Sequence, residues 1–545
     1  LSLNAAQKEA VLATQGPVLV LAGAGTGKTR VITHRIAHLL RKGVPPSSIL
    51  AVTFTNKAAR EMRERVAGIL GKTPQGLTVS TFHSLGARIL RADGEAAGLR
   101  PSFGIHDTSD QLALLRGVLR DLRGAVAAAD ARAVLAEISR AKNRFALPAD
   151  VAAAASNDWE NLVAAAYVRY DEALRAMGAA DFDDLILLPV LLLEGHPEVR
   201  QRYRARFRYL LVDEYQDTNG AQYRLLRALV GPERNVCVVG DDDQSIYGFR
   251  GAEVEKILGF ESDFPGARVV KLEENYRSTA PILDLANAVI APGAGRHGKV
   301  LRSTVGGGEP VRWVAVPDEE AEVDFVVREL HALIEKSRVP PGDIAILLRA
   351  VIQARPFEEK LRLHRLPYTL VGGQSYFDRK EVRDVLAYWK AAANPADDLS
   401  LLRILNVPRR GLGTAAAARL DGIARQRGSS LAAALDLAAA GEAEFPAGCR
   451  RAAGELAAVL ARARERLEAG DGAAAARELI AEAGYRSEVD ALYPDPEARQ
   501  ARWAAVEELV AAAERWARDH RGRPFAEFLE ALALAEEEPG EDGRR

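Results

Sequence analysis

Cysteine is almost missing from these 545 residues: Cys237 and Cys449 are far apart and form no Cys-x-x-Cys pair. Cys237 lies in the apolar run Asn235-Val236-Cys237-Val238-Val239 and reads as a reduced core residue. Charge of one sign is also lacking. Lys+Arg 73 against Asp+Glu 75 leaves a net −2, which argues against non-specific electrostatic adhesion. Any contact with a polyanion must come from a local basic surface. No signal-peptide pattern and no apolar run of membrane-spanning length occurs, so no membrane association is expected and the cytoplasm is the default compartment. What is present is ordinary for a globular protein, 48% hydrophobic and 27% charged residues. At about 100–200 residues per domain, the length predicts three or four domains. Both ends read as cut: the chain begins at Leu1 rather than Met, and Glu536 to Gly543 is a Gly/Pro/acidic run that resembles a linker.

Residues 1–85 alternate short apolar runs (Pro17–Leu21, Ile49–Val52, Leu77–Ser80) with helical stretches, the rhythm of a parallel α/β sheet. From 86 to 207 Ala/Leu/Arg helices take over, which predicts a helical insertion. Strand signals return at Tyr209–Val212 and Val236–Val239, so the first α/β domain resumes over 208–273. A second α/β pattern follows to 372, with strands expected at Val311–Val316 and Ile344–Leu348. Residues 373–545 are again helical; their repeated alanine reflects helix propensity, since Leu, Val and Trp recur.

Ala22-Gly23-Ala24-Gly25-Thr26-Gly27-Lys28-Thr29 stands between an apolar strand and a helical run. Small residues let the backbone wrap a phosphate with its N–H groups turned inward. Lys28 would neutralise the β/γ-phosphates of ATP, and the Thr29 hydroxyl would ligate Mg2+. Ala22 stands where the strict motif has Gly. Leu210-Leu211-Val212-Asp213-Glu214 is a buried strand ending in two carboxylates. Asp213 is assigned to the metal through water, Glu214 to polarising the attacking water. These features alone define a nucleotide hydrolase.

Longer motifs narrow the reading. Val239-Gly240-Asp241-Asp242-Asp243-Gln244-Ser245-Ile246-Tyr247-Gly248-Phe249-Arg250-Gly251-Ala252 and Glu274-Asn275-Tyr276-Arg277-Ser278-Thr279 resemble motifs of the UvrD/PcrA/Rep superfamily I DNA helicases. So do Asp213-Glu214-Tyr215-Gln216-Asp217 and Thr53-Phe54-Thr55-Asn56-Lys57-Ala58-Ala59, in family order along essentially the whole chain. The resemblance implies an α/β fold of two RecA-like P-loop motor domains, the second (274–372) incomplete, each carrying a mainly helical insertion (86–207 and 373–545). It implies that Gln7 reads the adenine edge, that Asn4 caps the helix carrying Gln7, and that Arg30 and Tyr276 sandwich the ring. Gln244 would sense the γ-phosphate, and Arg277 would stabilise the transferring phosphoryl group from the second lobe.

A motor on single-stranded DNA needs flat rings for bases and donors for phosphates. By the same resemblance Thr53, Phe54, Thr55 and Asn56 form one DNA-contacting motif, and Thr81 and His83 of Thr81-Phe82-His83-Ser84 a second. Tyr247, Phe249 and Arg250 follow Gln244 closely, a short route from nucleotide state to base stacking. Phe249 stands where relatives often have Trp, and Tyr247 reads equally as a stacking or a core residue. Arg409, Arg410, Gly411, Gly413 and Thr414, in Pro408-Arg409-Arg410-Gly411-Leu412-Gly413-Thr414, resemble the family's duplex-contacting turn; a simple helix connection is the alternative. Gly372–Arg379 marks entry to that helical block.

The implied activity is an ATP-dependent helicase or translocase moving 3′→5′ in repair, replication restart or plasmid replication. Its partners would be single-stranded DNA, single-strand/duplex junctions and proteins of those pathways. The family's last two motifs find no counterpart before Arg545. The chain alone is therefore expected to bind ATP weakly and hydrolyse it poorly, with a complementing C-terminal chain restoring activity. Two rival readings are an ATPase-impaired DNA-binding remnant and the motor part of a helicase–nuclease. The intact Lys28, Asp213, Glu214 and Arg277 speak against the first.

Overall fold

The computed structural model describes residues 3–101, 103–122, 130–248, 251–293, 295–371, 379–493 and 495–536. Its strands are β1 (Val18–Ala22), β2 (Ile49–Thr53), β3 (Thr78–Thr81), β4 (Gly104–His106), β5 (Ala179–Asp181), β6 (Tyr209–Val212), β7 (Val236–Gly240), β8 (Arg268–Leu272), β9 (Glu274–Asn275) and β10 (Arg302–Ser303). Six form one sheet in the order β3-β2-β6-β7-β1-β8, every neighbouring pair parallel. β1, β2, β6 and β7 are buried at every position. A parallel sheet covered on both faces requires this, which is why these strands read as continuous apolar runs.

Helices α1 (Ala5–Leu12), α2 (Lys28–Arg41) and α3 (Asn56–Leu70) cover one face through Val11, Val31, Ile36, Met62 and Val66. α4 (Phe82–Asp93) and the helix Asp184–Gly195 cover the other through Phe82, Leu85, Ile89, Ile186 and Val190. Cys237 is buried in β7, as its apolar surroundings predicted. The helices between 108 and 176 have a core of their own around Tyr167 and Tyr170. Helices from Lys380 to Glu536 pack around Tyr388, Trp389 and Tyr485. Among the described residues no helix is long and apolar enough to cross a membrane.

The second α/β region departs from expectation. Val311–Val316 and Ile344–Leu348 form no strands, and among the described residues after β8 only the two-residue β9 and β10 pair. A strand needs hydrogen-bonding neighbours, and its apolar faces need cover. Here Trp313 is 95% and Leu347 93% exposed. Only Ile344 and Ile346 find a surface, against Val323, Val327 and Phe357. The three-residue pair β4–β5 was not anticipated, being too short to show a period.

The two helical blocks meet through buried charge. Lys390 Nζ lies 2.9 Å from Asp110 and 3.8 Å from Asp107. Arg91 pairs with Glu530 at 3.1 Å, and His106 Nε2 faces Asp397 at 3.7 Å. Burial opposes a charged His106, but the Asp397 carboxylate, helped by Asp110 and opposed by Lys390, raises its pKa above the ordinary value. Burial likewise opposes a charged Asp397, yet His106, Lys390 and the Ser400 N–H hold it down to about 2. A raised histidine pKa contributes stability that is complete below about pH 6.5 and is lost as pH rises through the folded value. The Asp397 contribution persists above about pH 4. His106→Asn should therefore lower the melting temperature more at pH 5.5 than at pH 8.5, and equal losses in thermal melts at the two pH values would contradict this. Asp397→Asn should cost about 3 kcal/mol at pH 7, the scale of breaking a buried pair from one side.

Candidate active site and nucleic-acid interface

The phosphate loop, Asp213, Glu214 and Gln244, assigned to the nucleotide from sequence, follow the carboxyl ends of β1, β6 and β7, where an open parallel sheet places its ligand. Beyond β1 the loop turns through Gly25 (φ +71°) and Gly27 (φ +92°), a backbone region that favours glycine. Thr26 is fully buried and its hydroxyl donates to the Gly23 carbonyl at 2.8 Å, which closes the turn. Gly27 caps α2 without a side-chain hydrogen bond, and the first turn of α2 carries no acid. The helix N–H groups thus remain available to an anion. Lys28 Nζ pairs with Glu214 Oε2 at 2.7 Å, and Thr29 follows in the first turn.

β6 delivers Asp213 and Glu214. Asp213 is buried, and its pKa is raised to about 7 by burial and by the neighbouring Glu214. Glu214 takes the left-handed conformation at φ +50°, uncommon for a non-glycine residue, and this turns it back toward the phosphate loop. Its Oε2 also accepts from Gln216 Nε2 at 2.9 Å. Gln216 Oε1 in turn accepts the Asp241 N–H at 2.9 Å, and Asp241 accepts from the Gln244 amide. One hydrogen-bonded chain therefore runs Lys28–Glu214–Gln216–Asp241–Gln244.

The segment after β8 closes over the loop. Asn275 Nδ2 donates to the Ala24 carbonyl at 2.6 Å, and the Tyr276 N–H to the Gly25 carbonyl at 3.0 Å. A Cβ on Gly25 would stand 2.7 Å from Arg277 Cβ, so the Arg277 side chain is rooted beside the phosphate loop. Asn4 caps α1 in a capping box with Gln7, as expected. Asn4 Nδ2 also donates to Tyr276 Oη at 2.9 Å, and the Arg30 charge acts on that phenol. Gln7, Arg30 and Tyr276 thus gather at one mouth of the site. Gln7 is buried: its Nε2 donates to the Thr26 carbonyl at 2.9 Å and its Oε1 accepts from the Asn4 N–H at 3.1 Å. Reading an adenine edge would require part of that pairing to be exchanged.

The residues assigned to DNA fall in two places. Thr53 and Thr81 are register partners at the ends of β2 and β3, both buried. Thr55 caps α3 and Thr81 caps α4, each accepting a backbone N–H at 3.1 Å. Neither helix has an acid in its first turn, so two N-termini lie side by side. Phe54 is held edge-on against Phe82 at 5.8 Å, and Ser84 Oγ lies 3.4 Å from Asn56 Oδ1. His83 packs against Phe182 at 6.1 Å, and burial depresses its pKa to about 4, leaving a neutral imidazole that offers hydrogen bonds rather than charge. Tyr247 is 39% exposed, whereas Phe249, Arg250 and residues 372–378 lie outside the described residues. The 408–414 turn is remote in sequence, on the second helical block. Gly411 has φ +84°, Leu412 is buried and Gly413 starts the helix Thr414–Arg427 with no acid in its first turn. Arg409 and Thr414 are exposed. Arg410 is engaged internally, donating to Tyr388 Oη at 2.6 Å and to the Val407 carbonyl at 3.2 Å.

Comparison with known proteins identifies the family. The UvrD/REP helicase N-terminal domain matches residues 3–265, and the UvrD-like helicase C-terminal domain matches residues 270–443. The chain belongs to the UvrD/PcrA/Rep family of helicases. It is 46% identical over 426 residues to the ATP-dependent DNA helicase PcrA of Leuconostoc citreum, covering 78% of this chain and 57% of that protein. PcrA of Staphylococcus aureus strain Mu50 is 44% identical over 444 residues, 81% of this chain and 60% of its own length. PcrA of Bacillus subtilis strain 168 is 45% identical over 429 residues, 78% and 58%. The chain thus spans under two thirds of the length of these relatives.

Within this UvrD-type site two residues had no role from sequence alone. Gln216 and Asn275 stand inside quoted motifs, yet only their bridging hydrogen bonds reveal them: Gln216 joins the ends of β6 and β7, and Asn275 the segment after β8 to the phosphate loop. Gln216 is 2% exposed. Gln216→Leu would leave the buried Asp241 N–H unpaired and should cost about 1–3 kcal/mol. Denaturant unfolding of the two proteins checks this, and an unchanged midpoint would remove Gln216 from the chain of contacts.

Proposed function

We propose that this chain is the ATP-hydrolysing, DNA-tracking part of a helicase that moves 3′→5′ on single-stranded DNA in the cytoplasm, in DNA repair or replication restart. The observation that carries the reading is the continuous path from Lys28 to Gln244, because it joins a phosphate-binding loop to the turn that leads into Tyr247. A nucleoside triphosphate at the α2 N-terminus would draw Lys28 from Glu214 to its β/γ-phosphates. Glu214, released from the ammonium, is then a free carboxylate able to orient and polarise the attacking water. Gln244 would leave Asp241 for the γ-phosphate, and that movement shifts the segment beginning at Ser245. Arg277, rooted beside Gly25, supplies positive charge from the second lobe.

The residues present fit a divalent cation: a buried Asp213 whose carboxylate is disfavoured by burial and by Glu214, with Thr29 in the first turn of α2. Bound there, Mg2+ would screen the phosphate oxygens. For DNA, the paired N-termini of α3 and α4 suit two phosphates, Phe54 and Tyr247 suit bases, and the exposed Arg409 with the Gly411–Gly413 turn suits the duplex side of a junction. Proteins of repair or replication are the further partners.

Single-strand-stimulated ATP hydrolysis tests the reading. Lys28→Ala should abolish nucleotide binding. Glu214→Gln should retain binding but slow turnover by about 100-fold or more, the range lost with a general base. Equal, measurable turnover in both variants and the unsubstituted chain, each supplied with a C-terminal complement, would refute the site assignment.

A further inference from the structure

Residues 296–301, between the helix Ala280–Ile290 and β10, form a strap that touches two nucleotide-facing turns of the first lobe. Lys299 Nζ stands 2.6 Å from an oxygen of each of Asp241, Asp242 and Asp243, with its side chain 2% exposed. Arg296 grips Asp243 through two bonds of 2.7 and 2.6 Å, and the His297 N–H donates to Asp242 at 2.8 Å. From β8, Lys271 Nζ holds the strap itself, donating to the His297 and Gly298 carbonyls at 2.8 Å each. At the far end Asn287 bonds both backbone groups of Leu301, at 2.9 and 3.1 Å. Leu301 Cδ2 lies 2.3 Å from where a Cβ on Gly23 would stand, so the strap also rests on the phosphate loop.

The place among the three carboxylates has the dimensions of a cation site, and the Lys299 ammonium fills it. Asp241 is the shared member. It accepts from Lys299, from the Asp243 N–H at 3.2 Å and from the Gln244 amide. When Gln244 turns to a γ-phosphate, Asp241 loses one donor while still buried, a costly change for a carboxylate without another fixed partner. A lysine on the opposite lobe supplies that partner.

We propose that Lys299 is a positioning residue for the γ-phosphate sensor: it holds the Asp241–Asp243 turn and keeps Asp241 compensated when Gln244 moves, so that contact with the second lobe sets how well the site distinguishes ATP from ADP. This deepens the nucleotide reading of the site and rests on it. A lysine that merely balanced buried charge would affect folding stability but not the ratio of triphosphate to diphosphate affinity.

The test uses the full chain with Mg2+, a non-hydrolysable ATP analogue and ADP, each titrated by fluorescence, alongside thermal melts. Lys299→Gln should lower the ratio of analogue to ADP affinity about tenfold, the size of one charge-assisted hydrogen bond, with ADP affinity held within about twofold. Lys299→Arg should recover part of the ratio, because it keeps the charge. An unchanged ratio in folded Lys299→Gln overturns the proposal. If Lys299→Gln does not fold, Arg296→Gln carries the test, since that side chain is 19% exposed at the rim of the same cluster. Its ratio should fall about threefold, as for a partly screened pair, and no fall overturns the proposal. Lys28→Ala separates the two levels: nucleotide binding indifferent to Lys28→Ala removes the site reading and this proposal together. Binding lost in Lys28→Ala, with the ratio unmoved in the Lys299 and Arg296 variants, removes the proposal alone.

Discussion

Six carboxylates, those of Asp213, Glu214, Asp217, Asp241, Asp242 and Asp243, are crowded at the ends of two adjacent strands, and their mutual repulsion is the constraint around which the site is arranged. The two ends solve it differently. At β7, burial penalises Asp242 and Asp243, but Lys299 and Arg296 more than offset it, and both carboxyls titrate below their ordinary range. At β6 Lys28 is the main compensating charge for Asp213, with a smaller contribution from Arg65, and the Lys28 ammonium sits on Glu214. Asp213 and Asp217 are left under-compensated, pushed up to about 7 and about 6 by burial and by Glu214. Lys299 thus fills one end with positive charge, while the other is left short of it. The asymmetry, rather than the count of acids, separates the β6 end of the site from its β7 end.

That separation makes Gln216 the joint between them. An amide can accept at one end and donate at the other, so it transmits a change in Glu214 to the Asp241 backbone without adding charge to an already acidic place. Gly240 shows how tightly this joint is built, because a Cβ there would come within 2.8 Å of Gln216 Oε1. The structure shows this chain with Lys28 on Glu214; in the proposed function a phosphate would take Lys28 in its place.

Much of this was legible in the residues. The apolar runs ending in Leu21, Val52, Val212 and Val239 located the strands to within a residue or so, because a doubly covered parallel sheet leaves no polar alternation to confuse them. The phosphate loop, the acidic pair and Asn4 as a cap all depend on neighbours within a few residues, which is the range over which spacing carries information. Bridges across the fold were not legible: Gln216 to Asp241, Asn275 to Ala24 and Lys299 to the acidic turn join positions whose proximity only the sheet order creates. Arg410 is the opposite case: its sequence context suggests a phosphate contact, and the fold sets its Nη2 against Tyr388 Oη and the Val407 carbonyl, contacts the local motif does not announce. The 311–316 and 344–348 segments carry a strand's composition without a strand's neighbours, and composition alone does not satisfy a backbone.

This last point bears on how the second lobe contributes to the site. Among the described residues, the segment after β8 has only the two-residue β9–β10 pair as a sheet of its own. Asn275 and Tyr276 hang on carbonyls of the phosphate loop, Arg296 and Lys299 on the acidic turn, and the strap between them on Lys271 of β8. Each anchor is a polar contact to the first lobe at or near a group that, in the proposed cycle, changes partners when a triphosphate enters. The lobe interface and the proposed nucleotide site are therefore one set of bonds. In that cycle, movement of the 275–301 region relative to the six-stranded sheet would be read out at Gly23, Gly25 and Asp241 together, the coupling of nucleotide state to lobe position that the proposed motor needs.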